Sequence, residues 1–206
     1  MRKILTLIFA GLLLCGCNDE SAQNAQNSEV AAKFTPFSVG EKFSLKSVVG
    51  GEVVIERTNK GFKLAGSDKI LMFDIFGTYC EPCKIEAPHL MDYQLKNADN
   101  FMMVGLIHFE NITDAQVVEN FTKKYNAYYF IANDKQNSRI VEQILTDINY
   151  RHALSIPFKV VFKDGEYQTL TDINEGDERG KPYYLGMVST KVIEKDMLRI
   201  KNGNAN

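Results

Sequence analysis

Short runs of almost uninterrupted apolar residues alternate with longer mixed segments between residues 69 and 149. The apolar runs lack a 3.6-residue period and are too short for independent helices, so they predict strands buried on both faces. These runs lie at 69–76, 101–107 and 128–131. The segments that follow them predict helices at about 81–98, from 113–114 to about 125, and at 137–149.

Antiparallel strands are predicted on either side of this alternation. Before it, the pattern predicts a short extended entry and a hairpin pair, at 43–45, 53–55 and 61–64. After it, the pattern predicts a strand, a turn, a second strand and a closing helix, at 158–162, 163–166, 167–170 and near 189–201. Strands and helices that alternate and then end in a hairpin indicate an α/β fold with a mixed central sheet flanked by helices.

The N-terminus has the layout of a secretory signal peptide. Two basic residues, Arg2 and Lys3, precede an apolar stretch from Ile4 to Leu14. This stretch is shorter than the roughly 20 apolar residues that a transmembrane helix needs. The tetrapeptide that ends at Cys17 resembles a bacterial lipobox, which implies cleavage after residue 16 and lipid attachment to Cys17. The alternative is an ordinary secreted protein cut nearby, and in either case the folded part is exported.

The composition divides the chain into three parts. Residues 18–33 carry no aromatic residue and have Val30 as their only large aliphatic residue, so they cannot bury enough surface to fold. We therefore expect a signal peptide at 1–16, the lipidated cysteine with a flexible tether at 17–33, and one domain at 34–206. The formal net charge of -2 and the pI near 6.0 give no basic footprint for nucleic acid.

The chemistry of the chain is concentrated at Cys80 and Cys83, which follow the first buried run. Residues three positions apart on the first turn of a helix lie on one face with Cβ atoms about 5–6 Å apart, and a small adjustment closes a disulfide. If Cys80 begins the helix, the helix N-terminus lowers the pKa of its thiol, and Cys83 becomes the buried resolving thiol. Pro82 supports this placement, because proline is tolerated in the first turn.

A Cys-x-x-Cys pair is also found as half of a zinc site. A closed structural zinc site needs four ligands. The other two cysteines, Cys15 and Cys17, lie in the leader, and the three histidines show no paired ligand spacing. A strand that leads directly into the motif favours a redox site. We therefore expect no metal and no cofactor other than the redox-active Cys80–Cys83 disulfide.

These residues resemble the thioredoxin superfamily and, within it, the exported TlpA/ResA group of membrane-anchored thiol-disulfide oxidoreductases. The resemblance covers most of 36–203 and rests on 76–84, Glu86, Pro88, 155–157, the strand 159–162 with its turn 163–166, and Gly186. It implies a three-layer thioredoxin-like fold with an N-terminal β-hairpin. It also implies a central strand-helix insertion, because 74 residues (157 − 83) separate Cys83 from Pro157.

The resemblance implies roles for residues around the cysteines. Pro157 would be a cis-proline that faces the disulfide, and Ile156 would offer its backbone to a substrate segment that pairs as an added strand. The alternative is a trans proline that only ends a loop. Further substrate contacts would come from residues beside the cysteines, namely Tyr79, Glu81 and Pro82. Tyr79 stands where the family usually has tryptophan.

Two carboxylates are candidate proton acceptors for Cys83. Asp74 is a lone acid in an apolar run, which is costly without a task or a partner, and it falls where thioredoxins keep a buried aspartate. Glu86 matches an acidic residue of TlpA/ResA chains. Burial should raise the pKa of either group and allow proton exchange with Cys83 through water. Which acid dominates stays open, as do a solvated surface position for Glu86 and a hydrogen-bonded strand-end position for Asp74.

The expected function is that of a lipid-anchored reductase facing the periplasm or extracytoplasmic side. By resemblance, its substrates are exported proteins with disulfides, with apocytochrome c as the leading candidate, and a membrane thiol carrier of the DsbD/CcdA type would reduce it again. Glu81 beside Cys80 disfavours the thiolate and so favours a reductant weakly. The alternatives are a disulfide-donating oxidase, a metal or copper-delivery lipoprotein, and a redox-inert binding module. The acidic loop at 172–185 is expected to be solvated, with partner recognition as the alternative.

Overall fold

The structure, a computed structural model, describes residues 34–174 and 180–203. The expected signal peptide, the lipidation site Cys17, the tether and part of the acidic loop lie outside these residues, so cleavage and lipid attachment stay predictions. No helix of the described ranges has the length and apolar character required to cross a bilayer.

The described chain contains nine strands and four helices. The strands are β1 Lys42–Lys46, β2 Glu52–Arg57, β3 Phe62–Leu64, β4 Ile70–Phe76, β5 Phe101–Ile107, β6 Phe130–Ala132, β7 Phe158–Lys163, β8 Glu166–Tyr167 and β9 Tyr184–Leu185. The helices are α1 Glu81–Lys96, α2 Asp114–Val117, which continues as a π-helical turn Val118–Thr122, α3 Gln136–Asp147 and α4 Thr190–Lys201.

The strands form two sheets. β1, β2 and β3 make a three-stranded antiparallel sheet. The central sheet has the order β6-β5-β4-β7-β8, and β9 also pairs with β7. β4, β5 and β6 are parallel, whereas β7 is antiparallel to β4. The central sheet is therefore mixed, as predicted.

The central sheet separates two hydrophobic cores. One core contains residues of α1 and α4, and the other contains residues of α3 and the small sheet. β4 is buried along its whole length because its side chains alternate between the two cores. Met72 and Phe76 face the α1 core, and Phe73 and Ile75 face the α3 core. Asp74, between Phe73 and Ile75, therefore points to the α1 side, where the cysteines lie.

Most predicted elements are present, with shifts at their ends. α1 ends at Lys96 because the side-chain amide of Asn97 donates to the carbonyl of Tyr93 at 2.9 Å and caps the helix. The helix predicted from 113–114 to about 125 is shorter and partly π-helical. β6 begins at Phe130, two residues later than predicted, where pairing with Val104 starts.

The predicted strand at 167–170 is also shorter than expected. β8 ends at Tyr167, and Leu170 pairs instead with Lys181 through two backbone hydrogen bonds of 2.7 and 2.8 Å. This change of partner leaves the edge of β7 near Phe158 open to β9, which pairs there. β9 has only two residues and was not predicted, since so short a segment has no recognisable period.

Candidate active site

The two cysteines lie where β4 gives way to α1. Cys80 is the residue that caps the helix, and α1 itself begins at Glu81, as predicted. The Cys80 sulfur accepts a hydrogen bond from the backbone N–H of Cys83 at 3.3 Å. The two sulfurs are bonded, with a Cα–Cα distance of 5.3 Å, and both cysteines are buried. The structure thus confirms the predicted disulfide at the start of a helix.

The turn before the cysteines is held by a carboxylate from the neighbouring strand end. Glu110 accepts hydrogen bonds from the backbone N–H of Thr78 at 2.5 Å and from its hydroxyl at 2.7 Å. The backbone N–H of His108 donates to the carbonyl of Phe76 at 2.9 Å. The loop after β5 therefore fixes the loop that carries Cys80. We call residues 77–79 the active-site turn.

The three residues beside the cysteines that are predicted to contact substrate are all exposed. Tyr79 is 56% exposed, and its ring packs against Gly77, where an added Cβ would lie 2.7 Å from the ring. Glu81 is exposed and pairs with Lys84 at 3.1 Å. Pro82 is exposed as well. These positions leave the residues available for contact, and their roles stay predictions.

Pro157 lies at the same end of the central sheet as the cysteines. Phe158 pairs with Ile75 across β7 and β4, which places Pro157 next to the end of β4. The Ile156–Pro157 peptide bond is cis, as the resemblance implied, so the alternative of a trans proline is wrong. Ile156 packs partly buried against the core that contains both cysteines. Within the described residues, neither the N–H nor the C=O of Ile156 is hydrogen-bonded.

Beneath the cysteines, three charged side chains meet in the interior. Asp74 comes from β4, Glu86 from α1 one turn after Cys83, and Lys159 from β7 directly opposite Asp74. The Lys159 ammonium lies 3.1 Å from Asp74 Oδ1 and also donates to Glu86 Oε1. Their exposed fractions are 1%, 3% and 0% in that order. We call these three residues the buried triad.

A scan against protein-family models and a search of curated proteins find no match to this chain. Solved structures do match. StoA from Bacillus subtilis is 16% identical over 78% of this chain and 99% of that chain, with a TM-score of 0.51. A thiol:disulfide interchange protein of the thioredoxin family from Chlorobium tepidum TLS is 20% identical over 80% of this chain and 95% of that chain, with a TM-score of 0.50.

This chain has a thioredoxin fold. The predicted fold class, with helices on both faces of a mixed sheet, is therefore confirmed. β6 and α3 lie between β5 and β7, within the span of the predicted central strand-helix insertion. The expected N-terminal hairpin is present with a third strand, β1.

Within this thioredoxin fold, burial dominates the proton affinity of both acids. Burial raises the pKa of Asp74, and the charge of Lys159 opposes that shift only in part. Burial raises the pKa of Glu86 to about 7, with Lys159 lowering it and Asp74 raising it further. The predicted direction is confirmed for both groups. The alternative positions are wrong, because Glu86 is not solvated and Asp74 is ion-paired inside the strand.

Sequence reasoning missed two residues of this thioredoxin-fold site. Lys159 is a lone charge in the apolar segment 158–162 and, like Asp74, is costly there without a partner. Glu110 follows β5, and the carboxyl ends of neighbouring parallel strands lie at one sheet edge. That placement was the available signal for Glu110.

The described part of the chain contains no cluster of three or more histidine, cysteine, aspartate or glutamate side chains arranged to hold a metal ion.

Proposed function

We propose that this protein is an exported thiol-disulfide oxidoreductase that reduces disulfides of extracytoplasmic proteins. One observation carries the proposal. The Cys80–Cys83 disulfide caps a helix above two buried carboxylates and lies at the same sheet end as the cis-proline Pro157. The thiol:disulfide interchange protein from Chlorobium tepidum shares the fold that holds this arrangement.

The reduced protein would act through two exchange steps. The Cys80 thiolate attacks a substrate disulfide, a mixed disulfide forms, and the first substrate sulfur leaves as a thiolate that takes a proton from water. Cys83 then passes its proton to the carboxylates and attacks the Cys80 sulfur. The Cys80–Cys83 bond forms, the second substrate sulfur leaves, and two electrons have moved to the substrate.

The backbone of Ile156 supports the way in which a substrate would bind. Its N–H and C=O have no hydrogen-bond partner among the described residues, and an extended peptide could pair with them as an added strand. Tyr79 precedes Cys80, and Met187 follows Gly186, whose N–H donates to the carbonyl of Pro157 at 2.9 Å. Both leave apolar surface, with 56% and 53% of each residue exposed. A substrate with apolar side chains beside its disulfide would fit this surface.

The charges around the sulfurs favour a reductant. Negative groups near a thiolate destabilise it and so favour the disulfide form, which lowers the reduction potential. Glu81, Asp74 and Glu86 supply three acids, whereas Lys84 and Lys159 supply two cations. The excess of one negative charge exists once the carboxylates have lost their shared proton, at pH values above the pKa of Glu86 of about 7, and there it is the physical basis for proposing reduction over oxidation.

The leader and the resemblance support the cellular context of the proposal. We propose that lipid on Cys17 anchors the protein to the cell envelope, with the folded domain on the extracytoplasmic side. A membrane thiol carrier of the DsbD/CcdA type would return electrons to the oxidised pair. Apocytochrome c is the proposed substrate, since its haem-attachment cysteines must be reduced before haem is ligated.

Insulin reduction driven by dithiothreitol tests the proposed activity. The wild-type protein should accelerate the reaction, whereas Cys80→Ser and Cys83→Ser should not. Each variant replaces one sulfur by oxygen. Cys83→Ser keeps the attacking thiol of Cys80, whereas Cys80→Ser removes it. Cys83→Ser should therefore accumulate a mixed disulfide with insulin that non-reducing electrophoresis detects. Full activity in Cys80→Ser would overturn the proposal.

A further inference from the structure

The buried triad has an unusual stoichiometry, with one lysine for two carboxylates. Lys159 reaches both acids, at 3.1 Å from Asp74 Oδ1 and by a direct hydrogen bond to Glu86 Oε1. The second oxygen of Glu86 accepts the backbone N–H of Val188 at 3.3 Å. All three side chains are almost completely buried, so water screens none of these interactions.

We propose that Lys159 is a positioning residue for proton transfer from Cys83, because one lysine shared by two carboxylates makes the buried triad hold a single exchangeable proton. The inference rests on the proposed function, since the proton is the one that Cys83 loses when it resolves the mixed disulfide.

Charge counting gives the reason. With all three groups ionised the net charge of the triad is −1, and one added proton makes it neutral. A net charge in the interior is costly, so the neutral form is favoured. A second proton would leave Lys159 charged and unpaired, which is costly again. The triad therefore takes up one proton and no more over the physiological range.

The other ionisable groups around the triad do not change this count. Tyr129 is buried, and burial together with the two carboxylates raises its pKa well above the usual range, so it stays neutral. Tyr184 lies opposite Lys159 in β9 and donates its hydroxyl to Asp196 at 2.6 Å. Burial and Asp196 raise the pKa of Tyr184, which is neutral as well.

The charge balance of the triad predicts opposite effects for the removal of Lys159 and for the removal of either acid. Lys159 lowers the pKa of both carboxylates, so its loss should leave two acids that stay protonated at neutral pH. The triad could then not accept the Cys83 proton. Removal of either acid should instead leave a neutral ion pair with Lys159. That pair should not take up a proton near neutral pH, because protonation of the remaining acid would leave Lys159 charged and unpaired.

The test is a pH titration of the carboxyl carbons by ¹³C NMR on the oxidised full-length protein in detergent. Wild type should show one buried carboxyl that titrates near neutral pH. Lys159→Met should move this titration upward by about one pH unit or more. Asp74→Asn and Glu86→Gln should each abolish it, and Lys159→Arg should restore it relative to Lys159→Met.

A matched control is available in the same strand. Lys163 lies at the other end of β7, where its ammonium donates to the carbonyl of Asp68 at 2.8 Å at the surface. Lys163→Met removes the same charge and should leave the titration unchanged. Circular dichroism melts verify that each variant is folded. If Lys159→Met does not fold, Asp74→Asn and Glu86→Gln decide the outcome, because a near-neutral titration in both would overturn the inference.

Kinetics separate this inference from the proposed function. In Lys159→Met the rate of insulin reduction at pH 7 should fall about fivefold or more and recover at higher pH, since a rise of one unit from a pKa near 7 lowers the ionised fraction at pH 7 about fivefold. An active wild type whose pH profile Lys159→Met does not shift would overturn the role of Lys159 alone. An inactive wild type that still shows the one-proton titration would overturn the proposed function.

Discussion

Asp74 and Lys159 face each other across β4 and β7, in the interior of the protein where isolated charges are most costly. Removal of one partner from such a group leaves the other charge uncompensated. The presence of a third charge, Glu86, means that the group cannot be neutral with every member ionised. Its protonation must therefore depend on pH, and the proposed proton transfer adds a dependence on the state of Cys83.

Glu86 should make the stability of the protein depend on pH. Its folded-state pKa of about 7 lies above the usual glutamate value of 4.5, because burial disfavours the charged form. Between these values the folded state holds a proton that the unfolded state has lost. The free energy of unfolding should therefore fall as pH rises from 4.5 to about 7, by about 3 kcal/mol.

Urea unfolding at pH 5, 6, 7 and 8 in one buffer mixture measures how the free energy of unfolding depends on pH. Glu86→Gln should be nearly flat over the range, because the amide does not titrate. Glu194→Gln changes an exposed glutamate of α4 and should keep the wild-type slope. A wild-type stability that rises between pH 5 and pH 7 would contradict the assignment.

Single residues differ in how well the sequence reveals them. Asp74 stands out because an acid in an apolar run must have a partner, whereas Glu86 came only from the family resemblance. Lys159 has the same signal as Asp74, yet its pairing with Asp74 depends on the register of two strands that are 85 residues apart (159 − 74). No local pattern encodes that register.

At the scale of elements, the active-site turn depends on the loop that follows β5. Glu110 accepts two hydrogen bonds from Thr78, so residues 108–110 and the active-site turn form one connected unit. Phe109 within this loop has a positive φ of 64° and is 55% exposed. Non-glycine residues adopt such a conformation when their surroundings fix it. Here the hydrogen bonds on both sides of Phe109 supply that constraint.

Loss of the Glu110 carboxylate should loosen the active-site turn. Glu110→Ala leaves the Thr78 N–H and hydroxyl without their acceptor, so we expect the free energy of unfolding to fall by about 1–3 kcal/mol. Insulin reduction should slow, since Cys80 is no longer held in place. Glu110→Gln retains one carbonyl oxygen as an acceptor and should be intermediate in both measurements. Equal behaviour of Glu110→Ala and wild type would show that the turn is held by other contacts.

Elements with a strong pattern were predicted with nearly correct bounds. β4 and β5 are apolar along their whole length, and α1 starts at a motif that fixes its first turn. β9 and the π-helical turn were not predicted. β9 depends on pairing with β7, and the π-helical turn Val118–Thr122 follows a normal helical pattern. Tertiary contacts determine both features.

At the scale of the whole molecule, the α1 core carries the active site and the α3 core joins the small sheet to the central sheet. The α1 core contains both cysteines and faces the buried triad. The α3 core carries the N-terminal sheet and a cluster of aromatic rings around Phe62, which contacts Phe37, Phe43, Phe73 and Phe162. The alternation of strands and helices predicted this layered fold, because each element must bury one apolar face. The leader and its lipid anchor stay predictions.

The reduction potential of the Cys80–Cys83 couple decides whether the whole arrangement works as proposed. Equilibration with reduced and oxidised glutathione, followed by alkylation and mass spectrometry, measures it. Known potentials extend from about −270 mV for thioredoxin to about −120 mV for DsbA. The excess of negative charge around the sulfurs, present once the buried triad has lost its proton, predicts a reversible two-electron couple closer to the thioredoxin value. A potential near that of DsbA, or no reversible equilibrium, would contradict the proposed reductase.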